Sequence, residues 1–187
     1  MNEPVVVIFA NRLDDFDGRV GDAVRAAAPA LTIFFEPDSL RNLTDSSTVL
    51  SPIGFEDAVY SPHVYVDVFE DGWASEDVTA VEASVDAARR EADAYGAALY
   101  VGEFGNGPDE HGLRYVRACL DVFDARAISS AWWLYEETSQ GAWGLYDPPP
   151  SGQARGPLRE EVADALARPY PSAVAGTIES FSFEPGP

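Results

Sequence analysis

The chain has 187 residues, 46% of them hydrophobic and 12% aromatic, which supplies a packed core and excludes wholesale disorder. With 12 basic against 32 acidic residues its net charge is -20, a surface that repels phosphate backbones and anionic lipid and so argues against nucleic-acid or membrane-surface binding as its main task. Cys119 is the only cysteine, which excludes an internal disulfide and a thiolate metal centre, and no apolar run reaches the ~18 residues of a bilayer crossing.

Strand-like and helix-like patterns alternate along the chain. Val5 to Ala10 is an apolar run, readable as a loop or as a strand. Residues 16–28 place Phe16, Val20, Val24 and Ala27 on one helical face, closed by Pro29. Leu31 to Phe35 is a short strand, 38–58 is turn-rich, and Val59 to Val66, rich in β-branched and aromatic residues, is a second strand. Residues 76–95 carry Val78, Val81, Val85, Ala88, Ala92 and Tyr95 at helical spacing, with Gly96 as the C-cap. Ala97 to Val101 is a third strand and Leu113, Val116, Leu120 and Phe123 mark a helix in which Cys119 is buried. Ile128 to Leu134 is a fourth strand, and 158–167 a last helix. This order predicts a parallel sheet covered by helices. From 168 to 187 the pattern changes to alternation (Thr177, Glu179, Phe181, Phe183), as in the first strand of a β-domain.

In a parallel α/β barrel the chemistry sits at the C-terminal ends of the strands. Those ends carry Glu36-Pro37, then His63 and Tyr65, then Gly102-Glu103-Phe104-Gly105, then Trp132, Trp133 and Tyr135. Acids flanked by aromatic rings suit glycosidic cleavage: one carboxylate attacks the anomeric carbon, another protonates the leaving oxygen, and flat rings stack on sugar faces.

MNEP at 1–4, FFEP at 34–37, YSPHVY at 60–65, VGEFG at 101–105 and AWWLYE at 131–136 resemble the late-strand motifs of glycoside hydrolase family 5, and its endoglycoceramidase-like branch in particular. GAWGLYD at 141–147 and RPYPSAVAGT at 168–177 are similar to that branch's linker into a C-terminal β-sandwich. The resemblance implies an α/β fold: a partial (β/α)8 TIM barrel, its second half, over 1–167, with 168–187 as linker and first strand of a β-sandwich. It implies Glu103 as nucleophile, Glu3 as acid/base, Asn2 as partner of the sugar 2-hydroxyl, His63 and Tyr65 lining the cleavage subsite, and Trp133 as the stacking tryptophan. Trp132 is expected to face the helical layer. A hydrogen bond from Tyr65 would help keep Glu103 ionised.

The expected activity is retaining hydrolysis of β-linked glycosides, glycosphingolipids among them, with carbohydrate or glycolipid as substrate, no cofactor and no metal. A cellulase-like or β-glucosidase specificity is the rival within that class. The rival outside it is an inactive fragment, or a carbohydrate-binding remnant, needing the N-terminal half-barrel as partner. The resemblance further implies secretion. Glu36 either contacts substrate or hydrogen-bonds at its strand end. Trp73 and Trp143 either form sugar platforms or pack against helices. His111, in the polar loop GPDEHG, is expected on the surface.

Overall fold

Asp77 and Gly96 bracket the helix that the spacing at 76–95 predicts. In the computed structural model, which describes residues 10–45, 56–136, 142–176, 178 and 181–183, that helix spans Val78–Tyr95 (α4). The Asp77 side chain accepts from the Thr79 amide, and Gly96 closes the last turn in the left-handed region. Asp109 caps the helix Glu110–Ala125 (α5) in the same way. The first helix (α1) covers Ala10–Ala27 and so begins well before the predicted 16–28. Arg25 near its end donates to the carbonyls of Pro29, Leu31 and Glu56, tying the helix to the chain that follows. Its apolar face was expected to be buried but lies half open: Phe16 and Val20 are each 43% exposed, because no described element packs closely over it.

The strands are Ile33–Phe35 (β1), Ala58–Tyr60 (β2), His63–Val64 (β3), Ala98–Phe104 (β4) and Ser129–Trp132 (β5), all paired in parallel. The expected single strand over 59–66 is thus two pieces. Pro62 has no N–H to give to a ladder, and the chain breaks at Ser61-Pro62. Both pieces pair with β4: Tyr60 lies opposite Leu99 and His63 opposite Glu103, so β4 spends one more residue over the same stretch. Gly102 occupies that bulge. Its amide donates to Pro62 O, and a Cβ there would meet Ser61 Oγ at 2.5 Å.

Three helices appear where the sequence reading had loops or a shorter run. Ser39–Thr44 (α2) falls within the turn-rich stretch 38–58, Val68–Asp71 (α3) lies between the second strand and the 76–95 helix where no element was expected, and α5 starts ahead of Leu113. The last helix (α6) is Glu160–Leu166. The described residues of 168–183 form no strand; Thr177, Glu179 and Ser180 lie outside the described residues.

The core lies on one side of the sheet. Val81, Val85, Ala88 and Ala92 of α4 and Tyr115, Val116, Cys119, Val122 and Phe123 of α5 bury one face of β4, where Leu99, Val101 and Phe104 are enclosed. Each of the larger apolar side chains among them contributes roughly 1.5–3 kcal/mol of burial. The residues between them point the other way: Ala98 is exposed and Tyr100 is half-buried. On that side Phe34 is 56% exposed and meets Tyr100 edge-on, with ring centroids 5.4 Å apart. The concave face therefore carries apolar surface open to solvent.

Candidate active site

Parallel register brings the chemistry together. Because His63 pairs directly with Glu103, the imidazole and the carboxylate emerge side by side at the C-terminal ends of β3 and β4. His63 is buried, and its Nδ1 lies 3.3 Å from Glu103 Oε2. Its Nε2 lies 3.7 Å from Oε2 of Glu36, the residue that follows β1. The imidazole thus stands between two carboxylates. Two residues on, the Tyr65 hydroxyl donates to the same Glu103 Oε2 at 3.0 Å. A neutral donor on a carboxylate oxygen favours the ionised form, the state a nucleophile needs. Glu36 thereby reaches the nucleophile's neighbourhood through His63.

Tyr115 pins this segment from behind. Its hydroxyl donates to Val64 O at 2.9 Å and accepts from the Val66 amide at 3.2 Å, clamping the backbone on either side of Tyr65. Burial pushes the Tyr115 phenol well above its ordinary value, so it stays a hydroxyl.

On the outward side of Tyr65, Phe69 and Trp143 form an aromatic patch. The two rings stack at 28° with centroids 5.7 Å apart, and Tyr65 lies 5.2 Å from Phe69 and 6.0 Å from Trp143. Phe69 is 56% exposed. Sequence reasoning left Trp143 between platform and packing and missed Phe69, whose four-residue helix α3 is too short to show a period. Trp73 falls on the packing side: it is buried edge-on against Tyr115.

The end of β5 sorts its two tryptophans. Trp132 packs edge-on against Phe104, in the helical layer where it was expected. Trp133 follows the strand, half-buried, its amide donating to Phe104 O and its carbonyl seated over Gly105, where any side chain would collide with it. Asn2 and Glu3 lie outside the described residues. His111 sits at the surface with Glu76 and Arg114, as expected, but in the first turn of α5 rather than in a loop. Among the described residues no cluster of His, Cys, Asp and Glu is able to hold a metal ion, and no helix is long and apolar enough to cross a membrane.

The family model for cellulase, glycosyl hydrolase family 5, matches residues 1–139. The chain belongs to glycosyl hydrolase family 5. Among solved structures, an endogalactoceramidase is similar at 27% identity and a TM-score of 0.79, over 96% of this chain and 44% of that one. Endo-glycoceramidase II from Rhodococcus sp., in complex with a cellobiose-like imidazole, is similar at 24% identity and 0.73, over 97% and 43%. The cellulose synthase subunit Z of Clostridioides difficile follows at 20% and 0.69, over 90% and 60%. No curated protein matches the chain. This family 5 chain therefore spans less than half the length of the two ceramidase structures, and its sheet and helices correspond to part of their α/β fold.

Proposed function

We propose that the protein carrying this chain is a retaining glycoside hydrolase acting on β-linked glycosides, with Glu103 as nucleophile and Glu3 as acid/base. The observation that carries the reading is the Tyr65–Glu103–His63 constellation at the strand ends of a family 5 chain. In the first step a Glu103 oxygen bonds to the anomeric carbon while the Glu3 proton passes to the glycosidic oxygen. The C–O bond breaks, the aglycone leaves as an alcohol, and a glycosyl ester remains on Glu103. In the second step the Glu3 carboxylate takes a proton from water, whose oxygen attacks the same carbon and displaces Glu103. Two inversions leave the β configuration intact. The Tyr65 hydroxyl and His63 Nδ1 both approach Oε2 of this carboxylate, which fixes its orientation at the strand ends. Asn2 holds the sugar 2-hydroxyl, and Trp133 stacks on the ring.

The substrate class we favour is a glycolipid, a glycan joined to an apolar aglycone. The aromatic patch of Phe69 and Trp143 supports it, as does the similarity to the two ceramidase structures. A cellulose-like oligosaccharide is the competing substrate, favoured by the family model's cellulase description.

The test follows the first product of the intact protein by NMR, with each substrate in turn. A β-configured hemiacetal, formed faster from the glycolipid, is expected. An α-configured first product contradicts retention, and preference for the oligosaccharide overturns the substrate class alone.

A further inference from the structure

Arg41 and Asn42 sit in the six-residue helix α2, far from where sequence would place an active-site residue, yet both are buried to within a few per cent. Arg41 Nη1 donates to the main-chain carbonyl of His63 at 3.2 Å. Asn42 Oδ1 accepts from the main-chain amide of the same residue at 2.9 Å. His63 is thus gripped at both ends of its own backbone by adjacent residues of one helical turn. The grip is itself anchored. Arg41 Nε donates to Glu91 Oε2 at 2.7 Å, its Nη1 meets Asp45 Oδ1 at 3.3 Å, and Tyr60 donates to the same Glu91 oxygen at 2.7 Å. Asp38 caps α2 by accepting from the amides of Leu40 and Arg41.

A buried guanidinium is costly unless its donors are satisfied, and an apolar side chain of similar volume would fill the space without that cost. Its partners here include the one carbonyl whose residue bridges Glu36 and Glu103. We propose that Arg41 and Asn42 are positioning residues of the site, fixing the His63 imidazole against the nucleophile by holding its backbone from both sides. The inference rests on the reading of Glu103 as nucleophile and adds to it a support that reaches the reaction only through His63. A β3 of two residues, just after a proline break, has too few ladder bonds of its own to hold an imidazole in place.

Asn42 provides the cleaner test, because Arg41 variants would also deprive the buried Glu91 of its cation and lower stability. Only Oδ1 of Asn42 makes a bond, and its Nδ2 has no partner among the described residues. Asn42→Asp therefore keeps the acceptor, whereas Asn42→Leu has similar volume and removes it. In the intact protein, assayed on an aryl β-glycoside, Asn42→Leu is expected to lower kcat about 10- to 100-fold, the usual consequence of misplacing a group by an ångström. KM should stay within about twofold, because contacts made equally in both states are untouched. Asn42→Asp should restore most of kcat. In a His63→Ala background, Asn42→Leu should cost almost nothing further, because the residue it positions is gone. If Asn42→Leu does not fold, Asn42→Ser, too short to reach the amide, takes its place in the same comparison. A folded Asn42→Leu protein with unchanged kcat overturns the inference, and so do losses that multiply in the double variant. Loss of turnover in Glu103→Gln, measured alongside, separates failure of the clamp from failure of the nucleophile assignment.

Discussion

Cys119 illustrates what a single buried side chain does to the chain's response to pH. It is enclosed in α5 beside Tyr115, and burial pushes its thiol from the usual 9.0 up to about 12. The folded state therefore keeps a proton that the unfolded chain gives up as pH rises past 9. Its contribution to stability is fully present below that pH and is lost at about 1.4 kcal/mol per pH unit between 9 and 12. Tyr60 and Tyr115, both raised mainly by burial, act in the same direction above about 10. Urea unfolding at pH 8 and pH 10 should show a lower midpoint at pH 10. Iodoacetamide at pH 8 should leave the native thiol untouched and label it in urea; rapid native labelling would show that the thiol is accessible. The burial of Cys119 was legible from its neighbours Val116, Leu120 and Phe123. Glu103, His63 and Tyr65 were legible too, because strand-end position and motif agree. Arg41, Asn42 and Tyr115 were not: a buried arginine and an asparagine that bind backbone leave no periodic trace, since their partners lie 20 or more positions away.

At the level of elements, length decides what sequence reveals. The 18-residue α4 announces itself through several apolar positions and a terminal glycine. The six residues of α2 and four of α3 are too short to show a period, and α2 is held by burial of Arg41 rather than by propensity. The split between β2 and β3 hinges on Pro62, a signal outweighed in the reading by the β-branched residues around it. The bulge opposite it depends on Gly102. An added methyl would meet Ser61 Oγ at 2.5 Å and Ser61 O at 3.0 Å, the latter a main-chain atom that moves only if the strand moves. Gly102→Ala should therefore destabilise the fold by about 1–3 kcal/mol, the usual range for forced overpacking. It should also reduce turnover in the intact protein, because the strand it displaces carries His63. Equilibrium unfolding and an assay on an aryl glycoside measure the two effects; wild-type stability would mean that the bulge relaxes around the methyl.

For the molecule as a whole, β1, the two pieces of β2 and β3 in line, β4 and β5 form a curved parallel sheet with no strand beyond β1 or β5 among the described residues. A closed parallel barrel takes eight strands, and open edges invite pairing with other chains. The concave face exposes Phe34 beside a half-buried Tyr100, and the helical layer exposes Phe16 and Val20. We expect the 187-residue chain on its own to self-associate and to hydrolyse no aryl β-glycoside. Its charge of -20 opposes that association at low salt, so light scattering should rise as salt screens the repulsion. A stable monomer with turnover that Glu103→Gln abolishes would overturn this expectation. The assignment on which everything else rests is best tested in the intact protein with a 2-fluoro β-glycoside carrying a good leaving group, followed by peptide mass mapping. Fluorine slows both formation and breakdown of the glycosyl ester, and the activated leaving group restores the rate of formation alone, so the intermediate accumulates. A single sugar adduct on the peptide containing Glu103 is the expected result, and an adduct on any other carboxylate would contradict it.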